Sequence, residues 1–538
     1  MSCQLITDCL NEIFECLDDK TLHSCLFVNR LCCKISIGIL WRNIYDVINI
    51  KDNDNIRRRS LFFLSTILAC LPDESKEFLL NNEISISTLT SKPPLFNYPA
   101  FCKVLLIDHI CLIVYYGLEE IQEIPITSSL NKKSRYYLVI NEVIKMFITQ
   151  ISSLKKLTFY DSVLIPNNIS FTCFSGAINC LTDLSELHCI SSLTSEFFYP
   201  LSKICHNIHS LTITLDGWIR NELKELISLQ NNLKDLRLSV LDRRNLIEII
   251  PILTKHSNTL TKLHFNGSYY YNNLSVSFIS LFSNLQEIKF SRCFSIIYYR
   301  LENQEIQENL FEDFEKLQYV TFPKLQYLSI PFYCTNPEYI IKFLENNGKN
   351  LQEFYLEEVD LSFIALFPNL QEIKFSYTSL LFGGFQFRDF EKLQNVTFPK
   401  LKYLTISYGC TKPEYVMKFL ENNGKNLQEF YLEEVDRTLN SSIAKFCPNL
   451  KKLSIVFSEL DILRNIFNNC QYLKSIKILC EREILSEKEV LEIVSKYSPK
   501  NFHELKIYNY LNSKLLPKDL ESFFYKLEKS SITYFNNY

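Results

Sequence analysis

One fifteen-residue phrase occurs twice in this chain, letter for letter. Asn346–Asp360 reads NNGKNLQEFYLEEVD, and Asn422–Asp436 repeats it 76 positions later. The copy extends beyond the phrase: Asp313–Asp360 and Asp389–Asp436 align without a gap and differ at nine of 48 positions. Upstream, NLQEIKFS starts at Asn284 and again at Asn369, 85 positions apart, so the first copy carries nine extra residues around Arg292–Leu310. Duplication on this scale is tolerated by a fold of stackable units. Each unit touches only its neighbours, so added units lengthen the array without breaking a closed core.

The unit itself is shorter than the duplication. Its kernel is an apolar residue, two variable residues, a second apolar residue, one variable residue and a third apolar residue. Kernels begin at Leu154, Leu184, Ile208, Leu233, Leu260, Leu285 and Leu325, then at Leu351, Leu370, Leu401, Leu427, Leu450, Leu473 and Phe502. Most of these fourteen starts lie 23 to 31 residues apart, with one gap of 40 and one of 19. A single kernel would suit any amphipathic strand. Fourteen in series at a near-constant period resemble leucine-rich repeats.

The kernel has a physical reading. Alternating apolar residues such as Leu328 and Ile330 lie on one face of a short strand, and Leu325 enters the same core from the preceding turn. Between kernels the pattern is helical. Pro337 suits a first helical turn, Ile340, Ile341, Phe343 and Leu344 form an apolar stripe, and Asn347-Gly348 suits a stop. Pro413, Val416, Met417, Phe419, Leu420 and Asn423-Gly424 repeat the pattern. The expected fold is α/β: a curved solenoid with parallel strands inside and helices outside, stabilised by stacking.

Composition narrows the function classes. A net charge of −3 over 538 residues argues against a general nucleic-acid binder. Arg57-Arg58-Arg59 is the only basic run and reads as a solvated helix start. Phe101–Leu118 is the most apolar stretch, but Lys103, Asp108 and His109 interrupt it, so no membrane span is expected. Asp8, Glu12 and Glu15 occupy the region where a signal peptide would need a basic start. The nineteen cysteines are dispersed and never form C-x-x-C. They read as reduced core residues of a cytoplasmic or nuclear protein, with no zinc site, no other metal and no cofactor expected. Neither a P-loop nor a G-x-G-x-x-G, H-E-x-x-H or G-x-S-x-G motif occurs, so no catalytic residue is nominated.

The first 45 residues do not follow the repeat. They read as three short helices: one capped by Asp8, a second capped by Thr21 after an Asp18-Asp19-Lys20 turn, and a third running to Trp41. Leu5, Leu10, Ile13, Leu17, Asp18, Leu22, Val28, Asn29, Arg30, Trp41 and Arg42 resemble the F-box pattern in order and spacing. The chain departs from that pattern at Ile6, where proline is usual, and at Cys32, where an aromatic is usual. The resemblance implies the substrate-receptor subunit of a Skp–cullin–F-box ubiquitin ligase. It has no catalytic site of its own, docks a Skp-type adaptor and through it a cullin, and holds a protein substrate on its repeats. Carried over residue by residue, the adaptor face comprises Leu5, Leu10, Ile13, Leu17, Leu22 and Val28. Two other readings stay open: these residues form the core of a helical cap, and the chain is a repeat scaffold that binds protein outside any ligase.

The expected organisation is an F-box at 1–45, a helical linker and solenoid cap at 46–150, and repeats at 151–538 with the duplication at about 284–360 and 369–436. Within the cap, Phe101, Val104 and Leu106 resemble a degenerate first kernel. In each strand, residues flanking the apolar pair point away from the core. The duplicated block therefore presents Tyr327, Glu353, Tyr355 and Glu357, then Tyr403, Glu429, Tyr431 and Glu433: two aromatic patches rimmed by carboxylates. Tyrosine is favoured at binding hot spots, and carboxylates would steer a basic segment of a protein substrate. The alternative is an ordinary solvated sheet face.

Overall fold

A computed structural model describes residues 7–43, 56–84, 94–120, 132–160, 174–241, 243–268, 275–293, 314–330, 337–356, 364, 367, 369–375, 390–406, 412–432, 437–457, 459–480, 487–509 and 515–528. The chain divides into two compact units, Met1–Ser268 and Tyr269–Tyr538.

The first unit opens with three helices, α1 (Thr7–Glu15), α2 (Asp19–Cys25) and α3 (Arg30–Leu40). Six parallel strands follow in chain order: β1 (Val104–Leu106), β2 (Lys156–Phe159), β3 (Glu186–Ile190), β4 (Ser210–Leu215), β5 (Asp235–Val240) and β6 (Lys262–Ser268). The second unit contributes β7 (Glu287–Cys293), β8 (Tyr327–Ile330), β9 (Glu353–Leu356), β10 (Glu372–Phe375) and β11 (Tyr403–Ile406). Its remaining strands are β12 (Glu429–Leu432), β13 (Lys452–Phe457), β14 (Ser475–Cys480) and β15 (Glu504–Asn509), all parallel and paired in chain order. Every one of the fourteen kernels supplies one strand. Each unit is therefore an α/β solenoid.

Alternation sets the faces. In β4, Leu211, Ile213 and Leu215 are buried while the intervening residues are not. The leading leucines, such as Leu233 and Leu427, are fully buried, each worth about 1.5–3 kcal/mol over exposure. The repeats are joined by a shared carbonyl. Lys155 O accepts N–H bonds from both Ser185 and Glu186, Gln352 O from Gln371 and Glu372, and Gln428 O from Lys451 and Lys452.

This seam begins earlier than the sequence suggests. Arg42 O accepts from Lys103 N at 2.8 Å and Val104 N at 3.0 Å, and Asn43 forms a parallel bridge to Val104. Trp41 is buried, stacked on Phe63 with centroids 5.0 Å apart and against Tyr98 at 4.5 Å. The three-helix module is thus joined directly to the edge of the first sheet. The first kernel is also shifted by one residue from its expected position. Cys102, Leu105 and Ile107 are buried, whereas Val104 and Leu106 are only half-buried. In an uninterrupted apolar run, alternation cannot fix the frame, and a one-residue slip exchanges the two faces.

The repeated Asn-Gly ends the α-helices as expected, and does so through a right-handed 3₁₀ turn. The helices Pro337–Asn347 and Pro413–Asn423 run through the asparagine and tighten into 3₁₀ turns at Gly348–Asn350 and Gly424–Asn426. Gly424 keeps a right-handed φ of −60°. It is glycine because a Cβ there would stand 2.6 Å from the carbonyl oxygen of Phe446. A Cβ on Gly348 would overlap the ring of Phe367.

Candidate functional site

The N-terminal module divides its apolar residues between two tasks. Phe14, Leu22 and Ile35 form its core, with Leu10, Leu17, Cys25, Cys32, Ile39 and Leu40 packed against them. Asp18, not Thr21, caps α2: its carboxylate accepts the Thr21 N–H at 2.8 Å, and hydrogen bonding from the Thr21 hydroxyl, then from its N–H, holds its pKa below the usual carboxylate range. Asn29 caps α3 by accepting the Cys32 N–H. Arg42 closes the module with an ion pair to Glu15 at 2.7 Å. Asp8 lies inside the first turn of α1 and does not precede it.

The six residues nominated for adaptor docking therefore separate. Leu22 is 2% exposed and belongs to the core, and Leu10 and Leu17 pack against it. Ile13 and Val28 are 47% and 66% exposed. Leu5 lies outside the described residues. Two residues join the exposed pair that sequence reasoning missed: Phe27, 89% exposed, and Leu31. The signal was present, because Leu22, Cys25 and Leu26 already supply the apolar positions of α2. Phe27 and Val28 then add two large apolar residues to the turn that ends it.

On the sheet of the second unit, register aligns backbone positions in rows, and the Tyr355 side chain lies outside what the structure describes. One row runs Glu287, Tyr327, Glu353, Glu372, Tyr403, Glu429 across β7–β12. The next runs Lys289, Ser329, Tyr355, Lys374, Thr405, Tyr431. Tyr327, Glu353, Tyr403 and Glu429 thus share one line, and Tyr355 and Tyr431 share the line beside it. Glu357 and Glu433 lie outside the described residues. Tyr431 is exposed, whereas Tyr327 and Tyr403 are half-buried between neighbouring strands.

The rows also contain lysines that the expected carboxylate rim did not include. Lys374 bonds Glu372 at 2.5 Å, Lys452 bonds Glu429 at 3.0 Å, and Lys506 bonds Glu504 at 2.7 Å. Glu353 is the exception in its electrostatics. Burial raises its pKa, and repulsion from Glu372 adds to that, against a smaller opposing pull from Lys374. Burial likewise pushes the Tyr327 phenol up. The Lys374–Glu372 and Lys506–Glu504 pairs lie two residues apart on one strand, whereas Lys452 and Glu429 stand 23 residues apart and meet only because β12 and β13 are neighbours.

The first unit's sheet carries its own pairs, Lys156–Glu186 at 3.1 Å and Arg237–Asp235 at 3.1 Å. Between them, burial and then Lys156 press His188 down to about 4, so its imidazole is neutral at physiological pH. The described cysteines are free thiols. Burial pushes those at Cys180 and Cys205 up to about 12, so they are inert core residues. Among the described residues, no cluster of metal-ligating side chains occurs, and no helix is long and apolar enough to cross a membrane.

No family model matches the sequence, and no curated protein matches it. Solved structures do. The chain is similar to one in the crystal structure of the Rad7 and Elc1 complex in yeast, at 14% identity over 71% of this chain and 91% of that one, with a TM-score of 0.38. It is similar to an LRR protein of Leptospira interrogans at 15% identity, covering 69% and 92% of the two chains with a TM-score of 0.28. An internalin from Listeria monocytogenes matches at 15% identity over 73% and 89%, with a TM-score of 0.27.

Proposed function

We propose that this chain is the substrate-receptor subunit of a Skp–cullin–F-box type ubiquitin ligase. Its N-terminal helices dock the adaptor, its repeats hold a protein substrate, and ubiquitin transfer takes place on partner subunits. The observation that carries this reading is the exposure of Ile13, Phe27, Val28 and Leu31 on a module whose core is already complete without them. Several large apolar side chains exposed on so small a helical module mark an interaction face. They coincide with the F-box-like sequence, where an adaptor would sit.

On the repeats, the row of Tyr327, Glu353, Tyr403 and Glu429, with Tyr355 and Tyr431 beside it, is the proposed substrate surface. Carboxylates in the β7–β10 portion suit a basic segment of the substrate. Glu357 and Glu433 extend the same proposal by sequence alone.

The test uses full-length protein. Ile13→Asp with Val28→Asp places charges on exposed positions and leaves Phe14, Leu22 and Ile35 in place. Desolvating those charges in an apolar interface costs several kcal/mol. Recovery of a Skp adaptor in a pull-down should fall at least tenfold while circular dichroism is unchanged. Recovery equal to wild type would defeat the F-box assignment. Absence of the adaptor from the wild-type pull-down would leave a protein-binding repeat scaffold outside a ligase.

A further inference from the structure

The two duplicated tyrosine patches stand in opposite electrostatic surroundings. Along β7–β10, the outward positions hold Glu287, Glu353 and Glu372 against Lys289 and Lys374. Towards the C-terminus the balance reverses. Lys452, Lys477 and Lys506 occupy three adjacent strands, β13–β15, with Glu504 as the only outward carboxylate in the same two rows there. The turns entering β11, β13 and β14 add Lys402, Lys451 and Lys474, and among the described residues none of them pairs with a carboxylate. Lys402 bonds the amide oxygen of Gln371 at 3.0 Å, and Lys451 that of Gln428 at 2.9 Å. Lys477 stands over the Tyr508 ring at 4.5 Å. Tyr431 and Tyr508 are both exposed beside these lysines, at 39% and 40%.

We infer that the β12–β15 portion of this face binds an acidic, extended segment of a protein partner. The inference rests on the sheet being a protein-binding surface, and it names the chemistry recognised at its C-terminal part. Lys477 faces the acidic side chains directly, Lys452 and Lys506 turn to them from Glu429 and Glu504, and Tyr431 and Tyr508 receive the apolar ones. Neighbouring strands stand about 4.8 Å apart, so the three lysine strands span about 10 Å, or about three residues of extended chain. Polyphosphate backbones fit less well, because Glu429 and Glu504 are interleaved with the cations and the whole chain is net negative at −3. The duplication has thus supplied two similar aromatic surfaces, one set among carboxylates and the other among lysines.

Fluorescence anisotropy with the full-length chain tests this. The probes are a labelled glutamate-rich dodecapeptide containing two phenylalanines, its lysine-for-glutamate counterpart, and a single-stranded dodecanucleotide. The acidic peptide should bind, weakening as salt rises, and tighter than either other probe. Lys452→Glu with Lys477→Glu should raise its Kd at least tenfold. Lys452→Gln with Lys477→Gln, which introduces no new charge, should raise it by a smaller factor, and Lys289→Gln should leave it unchanged. No binding of the acidic peptide, equal affinity in the Glu and Gln variants and wild type, or tighter binding of the oligonucleotide would overturn the inference. Adaptor recovery from the same preparations separates the two readings. Peptide binding lost with adaptor retained defeats only this one, and adaptor absent with peptide binding intact defeats only the ligase.

Discussion

The side chain of Asn423 holds together two repeats. Its Oδ1 accepts the Phe398 N–H at 2.6 Å, and its Nδ2 donates to Val396 O at 2.8 Å and to Phe419 O at 3.1 Å. Asn347 makes the same three bonds to Phe322, Val320 and Phe343. In the first unit Gln230 performs the equivalent task for Ile208, Cys205 and Leu226. All three side chains are buried.

Asn423→Ala should therefore cost about 2–4 kcal/mol, because it strands a buried N–H and a buried C=O that water cannot reach. Urea unfolding of the full-length chain would measure it. Asn423→Asp should be at least as damaging at neutral pH, since it directs an oxygen at the carbonyls of Val396 and Phe419.

Gly424→Ala should be destabilising by about 1–3 kcal/mol, the usual cost of overpacking. The obstacle is the backbone oxygen of Phe446 at 2.6 Å, which has no rotamer by which to move aside. At Gly348 the obstacle is the Phe367 side chain, so Gly348→Ala should cost less. Comparing the two melting temperatures checks the order.

Deleting residues 361–436 should leave a folded protein. The cut joins Asp360 to Arg437, as Asp436 joins it now. It presents Glu353, Phe354 and Tyr355 to β13 in the register that Glu429, Phe430 and Tyr431 hold with Lys452, Leu453 and Ser454. Stability in such arrays is close to a sum over repeats and their interfaces, so the melting temperature should fall modestly. Loss of cooperative unfolding in calorimetry would show that the block is not interchangeable.

Glu353→Gln should stabilise the protein slightly at neutral pH. The folded-state pKa of Glu353 is raised by burial and by Glu372, so its ionised form costs stability above that pKa. The cost disappears as pH falls and the carboxyl takes up its proton. The gain is limited to about 0.5 kcal/mol by solvent screening. It should vanish on acidification through the carboxylate range, which thermal melts across pH 4–7 would record.

Removing residues 1–43 should do more than abolish adaptor recovery. It takes away the Arg42 carbonyl from Lys103 and Val104, and Trp41 from Phe63 and Tyr98. An uncovered parallel edge is an aggregation site. Light scattering should show self-association in the truncated chain and not in the Ile13→Asp, Val28→Asp variant.

The strands were legible because L-x-x-L-x-L encodes both the strand and its register, and repetition removed the ambiguity of any single kernel. Where apolar residues ran without interruption, as at Val104–Ile107, the same code lost its frame. The helical module was legible as a pattern but not as a surface. Leu22 and Val28 are equally apolar in sequence, and only packing places one in the core and the other in solvent. Asn347 and Asn423 look like helix stops because their roles as buried brackets depend on carbonyls about 27 residues upstream. The lysine rows were missed for a related reason: Lys452, Lys477 and Lys506 become neighbours only once the strands are stacked.

The carbonyl of Arg42 also bears on the order of folding, because it offers β1 a hydrogen-bonding edge once the three-helix module has formed. Each later strand in the first unit then meets a template already folded behind it, usually fewer than about 31 residues upstream. Such contacts are short in sequence, which favours rapid closure. Assembly of the first unit is therefore expected to run in chain order from this edge, which pulse-labelled hydrogen exchange during refolding would record as protection at β1 appearing before protection at β6. A fault in the three-helix module would deprive the following strands of the first unit of their starting surface.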